Sequence, residues 1–153
     1  MTDLIVAGTL LTMDEERTIW ADGGVLVQAG LIDAIDQRLD LIEKHPHARV
    51  IGGPGNIVTP GFVNAHQHLT GDRLIRSCIP DNIPAGEAIF DWVVPVHAAH
   101  TGDDDELSAT LSLLEAVGNG ITTTVEAGTV AHPERVAAAF ERVGVRGTVG
   151  TWG

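Results

Sequence analysis

Two histidines, His66 and His68, stand one residue apart in the apolar segment IVTPGFVNAHQHL, residues 57–69. In an extended strand successive side chains alternate, so both imidazoles project from one face and converge on one point. Neutral imidazole nitrogen binds zinc and similar divalent ions at about 2.0 to 2.1 Å. Burying an imidazole without a partner costs free energy, so the pair needs a shared partner. The pair therefore predicts half of a metal site; the alternative is two hydrogen-bonded residues of the core or the surface.

The composition is that of an ordinary globular chain and excludes several classes of function. Hydrophobic residues make up 44% and charged residues 20% of the chain, which argues against intrinsic disorder. The net charge of -12 is spread along the sequence, so the surface repels nucleic acid and anionic membranes. No apolar run reaches the roughly 20 residues of a membrane span, and the start MTDLIVAGTL lacks the basic region of a secretory signal.

Cys78 is the only cysteine, so the chain has neither an internal disulfide nor a thiolate cluster for a metal. A metal site must therefore use histidines and carboxylates. The cysteine content fits a reducing compartment, and we expect a cytoplasmic protein.

The pattern of secondary structure changes near Val58. Residues 1–58 alternate short apolar segments with glycine-rich turns, which predicts a small β unit with a helical turn before Pro46. From residue 59 onward helix and strand candidates alternate, the order expected of a parallel sheet with βα connections. We expect an α/β chain of two domains, residues 1–58 and 59–153, with three strands in the second.

The clearest helix prediction covers residues 103–117. Asp103 and Glu106 have the spacing of a capping box, and we interpret DDDE at 103–106 as a solvated, dipole-favoured helix start rather than a cation site. ITTTVEAG and VRGTVGTW predict strands, with a helix between them that has Pro133 in its first turn and Gly144 after its end. The residues that recur at helical spacing in the first helix are Leu107, Thr110, Leu111, Leu114 and Val117.

The segment VTPGFVNAHQHL resembles the first barrel strand of the amidohydrolase superfamily, which opens with Pro-Gly-Phe-x-Asn-x-His-x-His. GITTTVEAG is similar to the second barrel strand, and the preceding β unit is similar to half of the small sandwich found in that superfamily. The resemblance is greatest to deaminases of cytosine, guanine and adenosine-like substrates and to triazine hydrolases. It implies a partial (β/α)8 TIM barrel, limited to its first three strands and preceded by the N-terminal strand unit of a β-sandwich.

The resemblance also implies a chemistry. His66 and His68 would be ligands of one divalent metal, with zinc favoured and iron as the alternative, and a bound ion lowers the pKa of water to roughly 7. The implied reaction is hydrolysis at a carbon of a small N-heterocyclic substrate. In deamination water breaks a carbon–nitrogen bond other than a peptide bond and ammonia leaves; in dechlorination water breaks a carbon–chlorine bond and chloride leaves. The complete enzyme is expected to be a homo-oligomer.

Chain length limits this interpretation, because a complete barrel takes about 250 residues. In the superfamily the base and the remaining ligands come from the fifth, sixth and eighth strands, so we expect an N-terminal fragment that is inactive alone. The alternatives are a noncatalytic metal-binding or assembly module and one piece of a split enzyme. Structural zinc is usually closed by four protein ligands, so two histidines favour the open site of an enzyme.

Other residues near the pair have competing interpretations. Glu126 lies at the end of the second barrel strand, where a carboxylate either assists catalysis or holds a loop through backbone N–H groups. Asp72 and Arg73 follow the histidines and are candidates for substrate contact or for an ion pair within the loop. Trp92 has apolar neighbours at helical spacing, which predicts core packing or a wall of the substrate pocket.

Three further histidines receive no chemical role. His97 and His100 lie near Pro95 without a shared strand face, and we interpret them as solvent-exposed or loop residues. His132 precedes Pro133, which predicts a residue at the entry to a helix.

Overall fold

A computed structural model describes residues 3–71 and 73–151. The chain divides into two compact units, Met1–Pro60 and Gly61–Gly153. The mixture of strands and helices expected from the sequence is confirmed. Across the two described ranges, no helix is long and apolar enough to cross a membrane.

The first unit is a four-stranded sheet with the strand order β3-β2-β1-β4. Strand β1 pairs antiparallel with β2 and parallel with β4, and helix α1 follows β3. The predicted helical turn before Pro46 is confirmed by α1. The elements are β1 (Leu4–Leu11), β2 (Ile19–Gln28), β3 (Leu31–Gln37), α1 (Arg38–Lys44) and β4 (Arg49–Val58). The core consists of Ile5, Ala7, Leu26 and Leu41.

The second unit is a parallel sheet of three strands in the order β5-β6-β7, with helices in both connections. This order confirms the predicted alternation of strands and helices after residue 59. The strands are β5 (Phe62–Gln67), β6 (Ile121–Glu126) and β7 (Arg146–Thr148). The helices are α2 (Ala85–Glu87), a π-helical segment (Ala88–Val93), α3 (Val94–Ala98), α4 (Gly102–Gly118) and α5 (Pro133–Val143).

Helix α4 begins with a cap that differs from the predicted one. The Thr101 hydroxyl accepts a hydrogen bond from the backbone N–H of Asp104, and the Asp104 carboxylate accepts one from the backbone N–H of Thr101. The predicted Asp103–Glu106 capping box is therefore wrong. The helix starts one residue earlier than expected, and the Glu106 carboxylate pairs instead with two arginines of α5.

Packing of α4 against α5 buries an unexpected face of α4. Asp105 is 0% and Glu106 is 8% exposed, so the interpretation of 103–106 as a solvated run is wrong at these two positions. The side chains of the leucine repeat are instead exposed, from 41% at Leu111 to 54% at Leu114. The core of this unit comprises Leu69, Ala109, Leu113, Val130, Val136, Ala139, Phe140 and Val145.

Gly147 in β7 lies where no side chain fits. An added Cβ would lie 2.3 Å from the Thr124 carbonyl oxygen and 2.4 Å from Cε1 of Phe140. We expect Gly147→Ala to lower the free energy of unfolding by about 1 to 3 kcal/mol, the usual cost of overpacking, as measured by urea denaturation. Gly118→Ala is the matched control, because a Cβ there meets nothing within 4 Å. Wild-type stability of Gly147→Ala would contradict this packing of β7.

Candidate functional site

The imidazoles of His66 and His68 meet at the carboxyl end of β5. Nε2 of His66 lies 3.3 Å from Nε2 of His68, and the rings are T-shaped with centroids 5.0 Å apart. Asn64 supports this strand end, since its Oδ1 accepts from the His66 backbone N–H at 3.2 Å and its Nδ2 donates to Gln67 at 2.5 Å. Two tetrahedral ligands of zinc lie about 3.3 Å apart, so the separation matches nitrogen atoms that share one ion.

A hydrogen-bond chain from the loop after β6 orients His68. Thr129 Oγ1 lies 3.0 Å from His68 Nδ1 and donates to Glu126 Oε1 at 3.2 Å. A hydroxyl that gives its proton to a carboxylate accepts from the imidazole, so His68 carries its proton on Nδ1. This leaves the lone pair on His68 Nε2, the atom that faces His66. Histidines that bind metals are commonly oriented in this way, by a hydrogen bond from the other ring nitrogen.

Glu126 holds the loop that carries Thr129. Its side chain is buried, and its Oε2 accepts from the Gly128 backbone N–H at 2.7 Å. Its Oε1 also lies 3.5 Å from the backbone nitrogen of Thr129. Glu126 thus makes the contacts expected of a carboxylate that holds a loop through backbone N–H groups. A catalytic role for Glu126 stays a prediction.

A cavity of about 430 Å³ opens beside His68. Its polar wall includes His68, His97 and Thr129, and Arg76 contributes a cation. A largely apolar cavity with a few convergent polar groups is the common form of a small-molecule site. The remaining wall consists of Gly71, Ile75, Ile79, Ile89, Val93 and Val94.

The other residues predicted to contact substrate are not among the described residues that line this cavity. Arg73 forms an ion pair with Glu115 of α4, and Asp72 lies outside the described residues. Trp92 is 37% exposed, and the cavity wall takes Ile89 and Val93 from the same π-helical segment. Substrate contact by Asp72, Arg73 and Trp92 stays a prediction.

Three histidines outside the predicted pair surround one buried carboxylate. Asp105 Oδ1 lies 3.1 Å from His100 Nδ1, and Asp105 Oδ2 lies 2.9 Å from His132 Nδ1. His97 Nε2 lies 4.0 Å from Asp105 Oδ1 and 2.8 Å from Thr70 Oγ1. The interpretation of His97 as a solvent-exposed or loop residue is wrong, because His97 is a buried residue of α3. His100 does lie in the loop between α3 and α4, as expected, but its side chain faces Asp105 and is only 7% exposed.

His132 is the N-cap residue of α5, which confirms its predicted place at a helix entry. Burial lowers the pKa of His97 below its ordinary value, and the nearby Asp105 carboxylate partly opposes this effect. The spacing H-x2-H-x4-D at 97–105 is the sequence signal that could have drawn attention to this cluster. Nothing in the sequence joins it to His132.

The sequence comparison gives a family and several relatives. Residues 57–151 match the profile of the Amidohydrolase family. A 5-methylthioadenosine/S-adenosylhomocysteine deaminase of Shouchella clausii is 30% identical over 149 residues, which cover 97% of this chain and 34% of the relative. The deaminase of the same name from Symbiobacterium thermophilum is 34% identical over 149 residues, which cover 95% of this chain and 32% of that relative. The chain thus spans about a third of the length of the curated relatives it matches.

Two solved structures have a similar fold. An adenosine deaminase from Xanthomonas campestris with bound zinc matches with a TM-score of 0.76 and 24% identity, covering 97% of this chain and 33% of that one. An atrazine chlorohydrolase from Arthrobacter aurescens TC1 in complex with zinc matches with a TM-score of 0.75 and 23% identity. The match covers 94% of this chain and 34% of the chlorohydrolase chain. At these identities the likeness concerns the fold.

Replacement of Thr129 tests the orientation of His68. We expect Thr129→Val to shift His68 from the Nδ1–H tautomer toward the Nε2–H tautomer, because valine offers no acceptor for the Nδ1 proton. Imidazole nitrogen chemical shifts and proton–nitrogen couplings measured by NMR report the tautomer. Thr129→Ser keeps the hydroxyl and should keep the wild-type tautomer. An unchanged tautomer in Thr129→Val would show that another group orients this ring.

Proposed function

This chain belongs to the amidohydrolase family, and on that premise we propose that it supplies the first metal ligands of a hydrolase. The bond to be hydrolysed is a carbon–nitrogen bond other than a peptide bond. The observation that carries the proposal is the 3.3 Å separation of the Nε2 atoms of His66 and His68. The chemistry that a divalent ion supplies there is a water pKa lowered to roughly 7.

The residues of this chain would act in distinct ways. His66 and His68 would hold the ion, while Thr129 fixes the tautomer of His68 through its contact with Nδ1. Glu126 keeps Thr129 in place by binding the backbone and hydroxyl of the loop. We favour zinc, because histidines and carboxylates without thiolates suit it and two structures of similar fold contain it, with iron as the alternative.

The cavity beside His68 supports a small N-heterocycle as the substrate. Its wall is mostly aliphatic, with Ile75, Ile89 and Val93 among the lining residues, which suits a flat ring that is poorly hydrated on its faces. Thr129 and His97 present polar atoms that can recognise ring nitrogens or their substituents. Deamination is the first candidate reaction, since the sequence relatives are named as deaminases. Dechlorination, in which water would break a carbon–chlorine bond and release chloride, is the second.

We propose that residues 59–153 form the first three strands of a (β/α)8 barrel and residues 1–58 part of a small sandwich. The parallel order β5-β6-β7 supports the barrel assignment. So does the exposure of apolar strand residues, which is 60% for Phe62 and 64% for Val63. Further strands of a barrel would cover these side chains and provide the remaining ligands and the base. The cytoplasmic location and the homo-oligomer belong to the same proposal.

A chimera tests the function directly. Residues 1–153 replace the matching third of the Shouchella clausii deaminase, and ammonia release from 5-methylthioadenosine is measured with zinc present. We expect an active chimera, and a loss of at least about 100-fold in kcat for His66→Ala and for His68→Ala. His47→Gln, an exposed histidine of the first unit, is the matched control and should keep the activity of the chimera.

Two outcomes would contradict the proposal. One is a folded, zinc-loaded chimera that releases no ammonia; the other is full activity after both His66 and His68 are replaced. The 153-residue chain alone should be inactive, because two imidazoles provide half of a tetrahedral site. Metal-dependent ammonia release by that chain would show that its own residues complete the site.

A further inference from the structure

A second group of metal-ligating side chains surrounds Asp105, outside the His66–His68 pair. One ligand atom from each of His97, His100 and Asp105 lies within 4.8 Å of the others, and His132 Nδ1 lies 2.9 Å from the Asp105 carboxylate. We propose that these four side chains form a closed site for a structural divalent metal ion of the zinc class. The site shares no ligand with the His66–His68 pair, and His97 is its one residue among those that line the cavity.

The ligand set has the chemistry that zinc prefers. Three imidazoles and one carboxylate are all common zinc ligands, and a structural site usually takes four protein ligands in tetrahedral geometry. A catalytic site would leave one position open to water, whereas here His132, whose Nδ1 lies 2.9 Å from Asp105 Oδ2, would supply a fourth ligand. The ligand count therefore favours a structural ion over a catalytic one.

The distances are close to those of an occupied site. Tetrahedral zinc places its ligand atoms about 3.3 Å apart. Asp105 Oδ1 lies 3.1 Å from His100 Nδ1 and 4.0 Å from His97 Nε2, so the two distances bracket this separation. His97, His100 and Asp105 thus already present ligand atoms within 4.8 Å of one another, and His132 approaches the second oxygen of the same carboxylate.

Burial gives a second argument. The Asp105 side chain is 0% exposed, and the His97 and His100 side chains that face it are 5% and 7% exposed. A buried carboxylate is costly unless a positive charge compensates it. The two arginines nearby, Arg135 and Arg142, pair with Asp103 and Glu106 rather than with Asp105. A divalent ion would neutralise Asp105 and use the imidazoles in their neutral form.

The site would join three separate elements. His97 belongs to α3, Asp105 lies in the first turn of α4, and His132 caps α5. Without an ion, Nε2 of His97 lies 2.8 Å from the Thr70 hydroxyl. An ion bound to His97 would take the place of this contact, and the Thr70 hydroxyl would still lie 3.5 Å from the Thr129 carbonyl oxygen. Since His97 and Thr129 both line the cavity, the ion would stiffen one of its walls.

The test removes the first site and asks whether metal binding survives. The 153-residue chain carrying His66→Ala and His68→Ala is dialysed against zinc, and bound zinc is measured by mass spectrometry. We expect about one equivalent, a tetrahedral absorption spectrum with cobalt, and a zinc-dependent rise in Tm. His100→Gln added to this background should weaken zinc binding more than about tenfold and abolish the rise in Tm. His47→Gln in the same background should change neither.

The proposal is overturned if the folded double variant binds no more zinc than a variant that also lacks His100. It is equally overturned if zinc leaves the Tm of the double variant unchanged. Should His100→Gln unfold the chain, His132→Gln decides, because the His132 side chain is 36% exposed and tolerates replacement. A folded His132→Gln chain with weakened zinc binding supports the site, and unchanged binding contradicts it. None of these outcomes depends on His66 or His68, so they leave the chimera test unaffected.

Discussion

The hydrogen bond between Thr129 and His68 is the interaction on which the candidate site depends. Parallel pairing brings the carboxyl ends of β5 and β6 to one edge of the sheet, where the loop after β6 reaches His68. Glu126 fixes that loop, and the Thr129 hydroxyl between them determines which imidazole nitrogen carries the proton. The pair of Nε2 atoms therefore owes its geometry to strand register and to one buried carboxylate, in addition to the alternation of side chains along β5.

The packing of α4 on α5 explains why acidic residues lie inside the second unit while leucines lie outside. Small residues such as Ala109 and Ala139 allow the two helices to approach closely, and the buried Glu106 is compensated by arginines of α5. Asp105 contacts His100 and His132 instead, at the junction of α3, α4 and α5. In the proposed barrel, further elements would cover the exposed leucine face of α4.

Local rules predicted much of this structure from the sequence. Alternation along β5 was enough to place His66 and His68 together, and periodicity located α4 to within one residue at each end. Spacing alone could not choose between two overlapping capping patterns, nor could periodicity say which neighbour covers the apolar face of α4. The spacing of His97, His100 and Asp105 was a local signal that went unused, whereas the contact of His132 with Asp105 follows from tertiary packing and could not be predicted from spacing. For Glu126 the sequence allowed two roles; the hydrogen bonds to the loop backbone are those of a carboxylate that holds the loop, and the catalytic role stays a prediction.

The most direct test of the account is anomalous diffraction at the zinc absorption edge from crystals of this chain grown with zinc. The account predicts a peak within about 2.0 to 2.1 Å of the Nε2 atoms of both His66 and His68. The contradicting result is a structure in which zinc is bound elsewhere and no peak lies between these two nitrogens. The two imidazoles would then be joined by a direct hydrogen bond. In that case the pair would be a structural contact of the strand end, and the hydrolase proposal would lose the observation that carries it.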